Sequence, residues 1–128
     1  MYTLAQNQNF LDDIQLLKAD GTTETLHVSF LITPDLVKKF RQLRVKLLDI
    51  QKEIKDGAET SAGLFNETLK ELFETFLGKE NVAKLLEFYR QDFVQFSTNI
   101  MPYIYNVIIP YVENSAKLQK KALKKRRF

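Results

Sequence analysis

His27 is the single histidine of the chain, and Asp12-Asp13 is its one pair of adjacent carboxylates. Imidazole can move protons near neutral pH, while paired carboxylates can act as acid and base or hold a divalent cation. Each use sets a geometric condition. A catalytic imidazole needs a group within hydrogen-bond reach, and no recognisable motif around His27 supplies one. Its place on the polar phase of a strand-like segment predicts a solvated or cross-strand residue. Asp12 and Asp13 lie in a similar segment, where successive side chains point to opposite faces, so they cannot share an ion without a bulge. The absence of cysteine removes thiolate nucleophiles, thiolate metal sites and disulfides together. No Gly-rich phosphate loop, His-rich helix or Ser-centred elbow occurs. The expectation is a protein that is not an enzyme and uses neither metal nor cofactor.

Charge gives a second signal. The net charge of +3 is unevenly spread: residues 117–127 hold seven of the nineteen Lys and Arg and no acid. The rest of the chain therefore carries twelve bases against sixteen acids, a net of −4. A mildly acidic body with a cationic end differs from a uniformly basic domain. Lys120, Lys121, Lys124, Lys125, Arg126 and Arg127 could meet an anionic partner, including nucleic acid phosphates. Nucleic acid is the less favoured partner. Only Phe128 could stack on a base there, and no groove-reading element accompanies the cations. Such cations also complement the negative end of a helix.

The elements that would position these groups follow from periodicity and punctuation. Residues 1–9 are polar and patternless and are expected to be disordered. Residues 10–32 read as a β-hairpin, with Phe10–Lys18 and Thr23–Ile32 flanking Asp20-Gly21. Ile14 and Leu16 alternate on one strand, Leu26, Val28 and Phe30 on the other. A lone hairpin is marginal in water, so its apolar face must lie on a helix or another chain. Residues 33–116 form a helical body. Thr33-Pro34-Asp35 combines a capping hydroxyl, a first-turn proline and an acid at the positive helix end. From there Leu36, Phe40, Leu43, Leu47, Ile50 and Ile54 recur at heptad-like steps, and Gly57 marks a stop. The helix would run about 35 Å at 1.5 Å per residue.

Asp56–Gly63 reads as a flexible loop. A short helix over Leu64–Leu77 ends at Gly78, and Asn81 is placed to cap a third helix that Ser97-Thr98-Asn99 interrupts. A fourth begins near Pro102, with Pro110 expected to kink it. The basic tail, residues 117–128, closes the chain. The fold class is thus α+β, mainly α, a single domain with one long helix and a cluster of three shorter ones. The aromatic residues exceed what one small core needs, so Tyr103, Ile104 and Tyr111 are candidates for self-association into a homo-oligomer. The apolar run Ile100–Val112 is shorter than the about 20 residues a membrane helix requires and is broken by Pro102, Asn106 and Pro110. No membrane association is expected. The N-terminus has no secretory pattern, so a cytoplasmic location is expected.

The order of features resembles the small tail assembly chaperones of long-tailed bacteriophages and prophages of Gram-positive hosts. The resemblance rests on Leu72-Phe73-Glu74-Thr75-Phe76-Leu77-Gly78-Lys79-Glu80-Asn81, on Leu85-Leu86-Glu87-Phe88-Tyr89 and on Met101-Pro102-Tyr103-Ile104. Ile108-Ile109-Pro110 and the lysine-rich end complete it. It covers most of the chain as pattern and order, with no catalytic motif. The Asp20-Gly21 hairpin is sharper than is usual in that family, and Thr33–Gly57 is more basic. The resemblance implies a non-enzymatic chaperone in the cytoplasm of a bacterial host. It would bind the tape measure protein, help recruit tail tube protein, and in some members have a longer frameshifted form. The apolar ridge Leu36, Phe40, Leu43, Leu47, Ile50 and Ile54 is the expected client contact. The rival reading is a small helical regulator that uses its basic tail on nucleic acid.

Overall fold

Gly21 adopts φ +86°, the left-handed conformation that reverses the chain. Its N–H donates to Lys18 O at 3.0 Å, and Lys18 N–H donates to Thr22 O at 2.9 Å. The Asp20 carboxylate braces the turn by accepting from the Thr22 hydroxyl at 2.6 Å and its N–H at 2.9 Å. Those bonds hold the Asp20 carboxyl below its ordinary value. This is the Asp20-Gly21 hairpin expected from sequence, seen in a computed structural model that describes residues 4, 6, 8–57 and 61–124. Strands β1 (Asn9–Leu17) and β2 (Thr23–Leu31) pair antiparallel, from Leu17 opposite Thr23 to Asn9 opposite Leu31.

Phe10, Leu16, Leu26 and Val28 are buried on the inner face of the hairpin. Phe10 stacks on its cross-strand partner Phe30 with ring centroids 4.9 Å apart. Ordered structure begins earlier than expected. Asn9 is already in the sheet and Gln8 O accepts from Ile32 N–H at 2.8 Å, while residues 1–3, 5 and 7 of the expected disordered segment lie outside the described residues.

Helix α1 (Pro34–Lys55) starts and stops as its sequence dictates. The Thr33 hydroxyl accepts from Leu36 N–H at 3.1 Å, and Gly57 ends the run at φ +97°. Helix α2 (Ser61–Leu77) begins inside the expected loop and packs along α1. Residues 58–60 of that loop lie outside the described residues. Phe76 of α2 joins the layers, with its ring 5.4 Å from Phe30 of the hairpin and 5.6 Å from Phe40 of α1. Thr68 is buried on α2 and returns its hydroxyl to Leu64 O at 2.8 Å.

Helix α3 (Lys79–Phe88) follows at once, because Gly78 at φ +87° lets the chain turn while its N–H closes α2 on Glu74 O. Asn81 is therefore not the cap that its type suggested. It lies within the first turn of α3, where its amide bridges Leu77 O at 2.9 Å and His27 O at 2.8 Å.

The next break also differs from expectation. Arg90 (φ 54°) and Gln91 (φ 64°) take left-handed conformations, with Gln91 N–H reaching Leu86 O at 2.7 Å. Asp92 then caps α4 (Phe93–Tyr103) by accepting from Gln95 N–H. Ser97 and Asn99 do not interrupt the helix. Their side chains donate to Val94 O and Gln95 O, so the groups that would compete with the helix are spent on its preceding turn. Nor does a new helix start at Pro102, which lies inside α4. A π turn (Ile104–Ile108) carries the chain into α5 (Ile109–Lys124), with Ile109 N–H bonded to Ile104 O. The wide turn sits just before Pro110, where a residue without an N–H cannot serve the preceding turn. The expected three short helices are thus two, α2 and α3, plus one composite helix. That helix runs through the expected boundary at residues 116 and 117.

Phe73, Phe96, Ile104, Ile108 and Val112 are fully buried where α2, α4, the π turn and α5 meet. Phe73 and Phe96 pack edge to face at 5.2 Å.

Candidate interaction surfaces

His27 and Asp13 sit directly opposite each other on the outer face of the hairpin, with Nδ1 2.7 Å from Oδ1. Their side chains are 79% and 64% exposed. The expected cross-strand histidine is therefore present, with the carboxylate that sequence spacing could not assign to it. The pair is solvated, and His27 also lines a hollow of about 400 Å³ that it shares with Lys79, Glu80, Asn81 and Lys84. Asp12 points the other way and accepts from the Tyr103 hydroxyl at 2.8 Å, so the two adjacent carboxylates are separated as the strand period requires. Burial, and then the Asp12 carboxylate, push the Tyr103 hydroxyl well above its ordinary value, leaving it a proton donor through the neutral and mildly alkaline range. Among the described residues no three His, Cys, Asp or Glu side chains are grouped to hold a metal ion.

The ridge expected to bind a client is mostly interior. Phe40, Leu43, Leu47 and Ile50 are buried within the chain's own core, which excludes them as partner contacts in this conformation. Leu36 is half-buried, and Ile54 alone of the six is exposed. The physical reason is coverage. An apolar stripe on a surface helix is what its own domain needs to bury, and α2 lies along this one. Ile104 is likewise fully buried. Tyr103 is half-buried and tied to Asp12. Tyr111 keeps 40% exposure while its ring meets Phe10 edge-on at 5.3 Å and its hydroxyl donates to Asn9 O. These two tyrosines fasten the composite helix to β1. No single surface brings the nine expected contact residues together.

No protein-family model, curated protein or solved structure matches this chain. The surface must therefore be read from its own residues.

Sequence reasoning passed over the outer face of α1. Lys38, Arg41, Val45, Leu48, Lys52 and Lys55 recur at steps of three and four, the same stepping as the inner ridge, and all six are exposed. Val45 and Leu48 are each 58% exposed at the centre of this stripe. Among the described residues Lys38, Arg41, Lys52 and Lys55 make no ion pair, whereas Arg44 beside them meets Glu113 of α5 at 3.5 Å and Lys39 approaches Glu71 of α2 at 4.0 Å. Seven bases against three acids make α1 a positive helix in an otherwise acidic body. The signal was available in the sequence as a second periodic stripe, but its cations disguised the two apolar residues.

Of the cationic tail, Lys120, Lys121 and Lys124 belong to α5, with side chains outside the described set. Lys125, Arg126 and Arg127 lie outside the described residues altogether. Among the described residues no helix is long and apolar enough to cross a membrane.

Proposed function

We propose that this chain is a non-enzymatic tail assembly chaperone of a long-tailed phage or prophage, acting in the host cytoplasm. It holds the tape measure protein and helps gather tail tube protein around it. The family resemblance supplies the identity of the client. The observation that carries a binding function is the outer stripe of α1, where Val45 and Leu48 stand exposed between cations that make no ion pair among the described residues. From Lys38 to Lys55 the stripe extends about 26 Å at 1.5 Å per residue, enough to lie along several turns of a helical client. Apolar anchors would give contact area, and the cations would favour an acidic partner face and speed encounter. Repeated weak contacts along a long client add avidity without one tight site.

Co-expression with a tape measure protein tests this directly. The chain is expected to keep the client soluble, and Val45→Ser with Leu48→Ser to lose that effect. A tape measure protein equally soluble without the chain removes the proposal.

The same exposed cations support a second reading, a regulator bound to nucleic acid. It requires retention on a duplex or single strand at low salt, weakening steeply as salt rises. Binding to phosphates should survive Val45→Ser and Leu48→Ser and fail when Arg41 and Lys52 are replaced by glutamate.

A further inference from the structure

Neither edge of the hairpin pairs with a further strand among the described residues, and the two differ in what packs beside them: helices α2 and α3 lie against β2. Lys18 N–H donates to Thr22 O and Ile32 N–H to Gln8 O, so even-numbered residues bond across the hairpin while odd-numbered ones aim their backbone groups outward. Two side-chain contacts fit this phase. Asn81 donates to His27 O on the outer edge of β2, and Tyr111 donates to Asn9 O on the outer edge of β1. Along β1 beyond Asn9, no strand pairs with the outer edge among the described residues. The outward groups of Leu11, Gln15 and Leu17 have no hydrogen-bond partner there, and Asp13 N–H is held by the Asp12 carboxylate at 2.9 Å. Beneath this edge runs a groove of about 260 Å³ between β1 and the α3–α4 layer, lined by Ile14, Leu17, Phe88, Tyr89 and Tyr103. Leu11 and Leu17 are 72% and 68% exposed beside it.

We propose that β1 pairs antiparallel with β1 of a second copy, making a four-stranded sheet and closing the two grooves against each other. The side chains select the register. Leu11 opposite Leu17 of the second copy, with Asp13 opposite Gln15, gives two Leu–Leu pairs about a two-fold axis through Ile14. Shifting so that Asp13 faces itself sets like charges in contact. Shifting the other way, Gln15 against itself, places Leu11 opposite Ala19 and Leu17 opposite Asp13, which loses both apolar pairs. In the chosen register half-buried Ile14 meets itself at the axis. Asp12 meets Leu16 with its carboxylate already satisfied by Tyr103. An uncovered edge strand is a liability to a soluble protein, and a two-stranded sheet is marginal, so the pairing answers both. This inference stands apart from the identity of any client.

Sedimentation of the full chain is expected to give a dimer. Gln15→Pro loses an N–H that points away from β2, so it should reduce the particle to half that mass while leaving the circular dichroism spectrum of the fold. The native chain has no cysteine, so introduced thiols report the register. Ile14→Cys should form a disulfide-linked dimer on mild oxidation. Leu11→Cys mixed with Leu17→Cys should crosslink between the two variants, and Leu11→Cys alone should not. A chain that sediments as a monomer at every soluble concentration overturns the proposal, as does a dimer whose crosslinks ignore this register. Should Gln15→Pro unfold, the thiol variants decide.

Discussion

Along α1 the inner positions Leu36, Phe40, Leu43, Leu47, Ile50 and Ile54 and the outer positions Lys38, Arg41, Val45, Leu48, Lys52 and Lys55 share one rhythm of threes and fours. Their environments are opposite. The inner set, apart from exposed Ile54, meets the chain's own interior, while the outer set leaves two apolar side chains among cations in water. Periodicity therefore locates stripes on a helix without saying which stripe belongs to the domain and which to a partner. Composition separates them better. A continuous apolar stripe serves a core, and apolar residues spaced between charges suit a contact that must also remain soluble.

Substitutions can break this contrast, beginning with the inner stripe. Phe40→Ala is expected to destabilise the fold by about 3–5 kcal/mol in chemical denaturation, since the ring is buried beside Phe76. A loss below about 1 kcal/mol would mean that the inner stripe is not anchored as described. Thr33→Ala leaves Leu36 N–H without its cap and should cost about 1 kcal/mol. Arg44→Ala removes an exposed ion pair to α5 and should cost about 0.2–1 kcal/mol, less at high salt. The outer stripe should give the smallest change in stability. Val45→Ser and Leu48→Ser are each expected to stay within about 0.5 kcal/mol of the native chain. Their effect should fall on client solubility, and a large loss of stability instead would reassign the stripe to the fold.

The legible parts of the fold were those governed by local chemistry. Asp20-Gly21, the Thr33-Pro34 start and the Gly57 and Gly78 stops each act through one residue's own backbone preference, so a reader of sequence can find them. The break at Arg90-Gln91 carries no such mark. Neither residue favours the left-handed region, at a cost on the order of 1 kcal/mol each. The aromatic contacts that span the break, Tyr89–Phe96 at 6.3 Å and Phe73–Phe93 at 6.4 Å, are tertiary and hold it in place. Ser97-Thr98-Asn99 misled for the converse reason: side chains that weaken a helix in isolation here bond back to it. At the candidate surface the same limit applied. His27 was placed correctly on the outer face, but its pairing with Asp13 depends on register, and the burial of the apolar ridge depends on where α2 packs.

The π turn at Ile104–Ile108 fixes the rotational phase of everything after it. One residue fewer there would turn α5 by about 100° relative to α4, the angle of a single helical step. Val112 and Ser115 would leave their buried seats and Tyr111 would swing off Asn9. A single extra residue thus decides which face of α5 turns toward β1 and the interior.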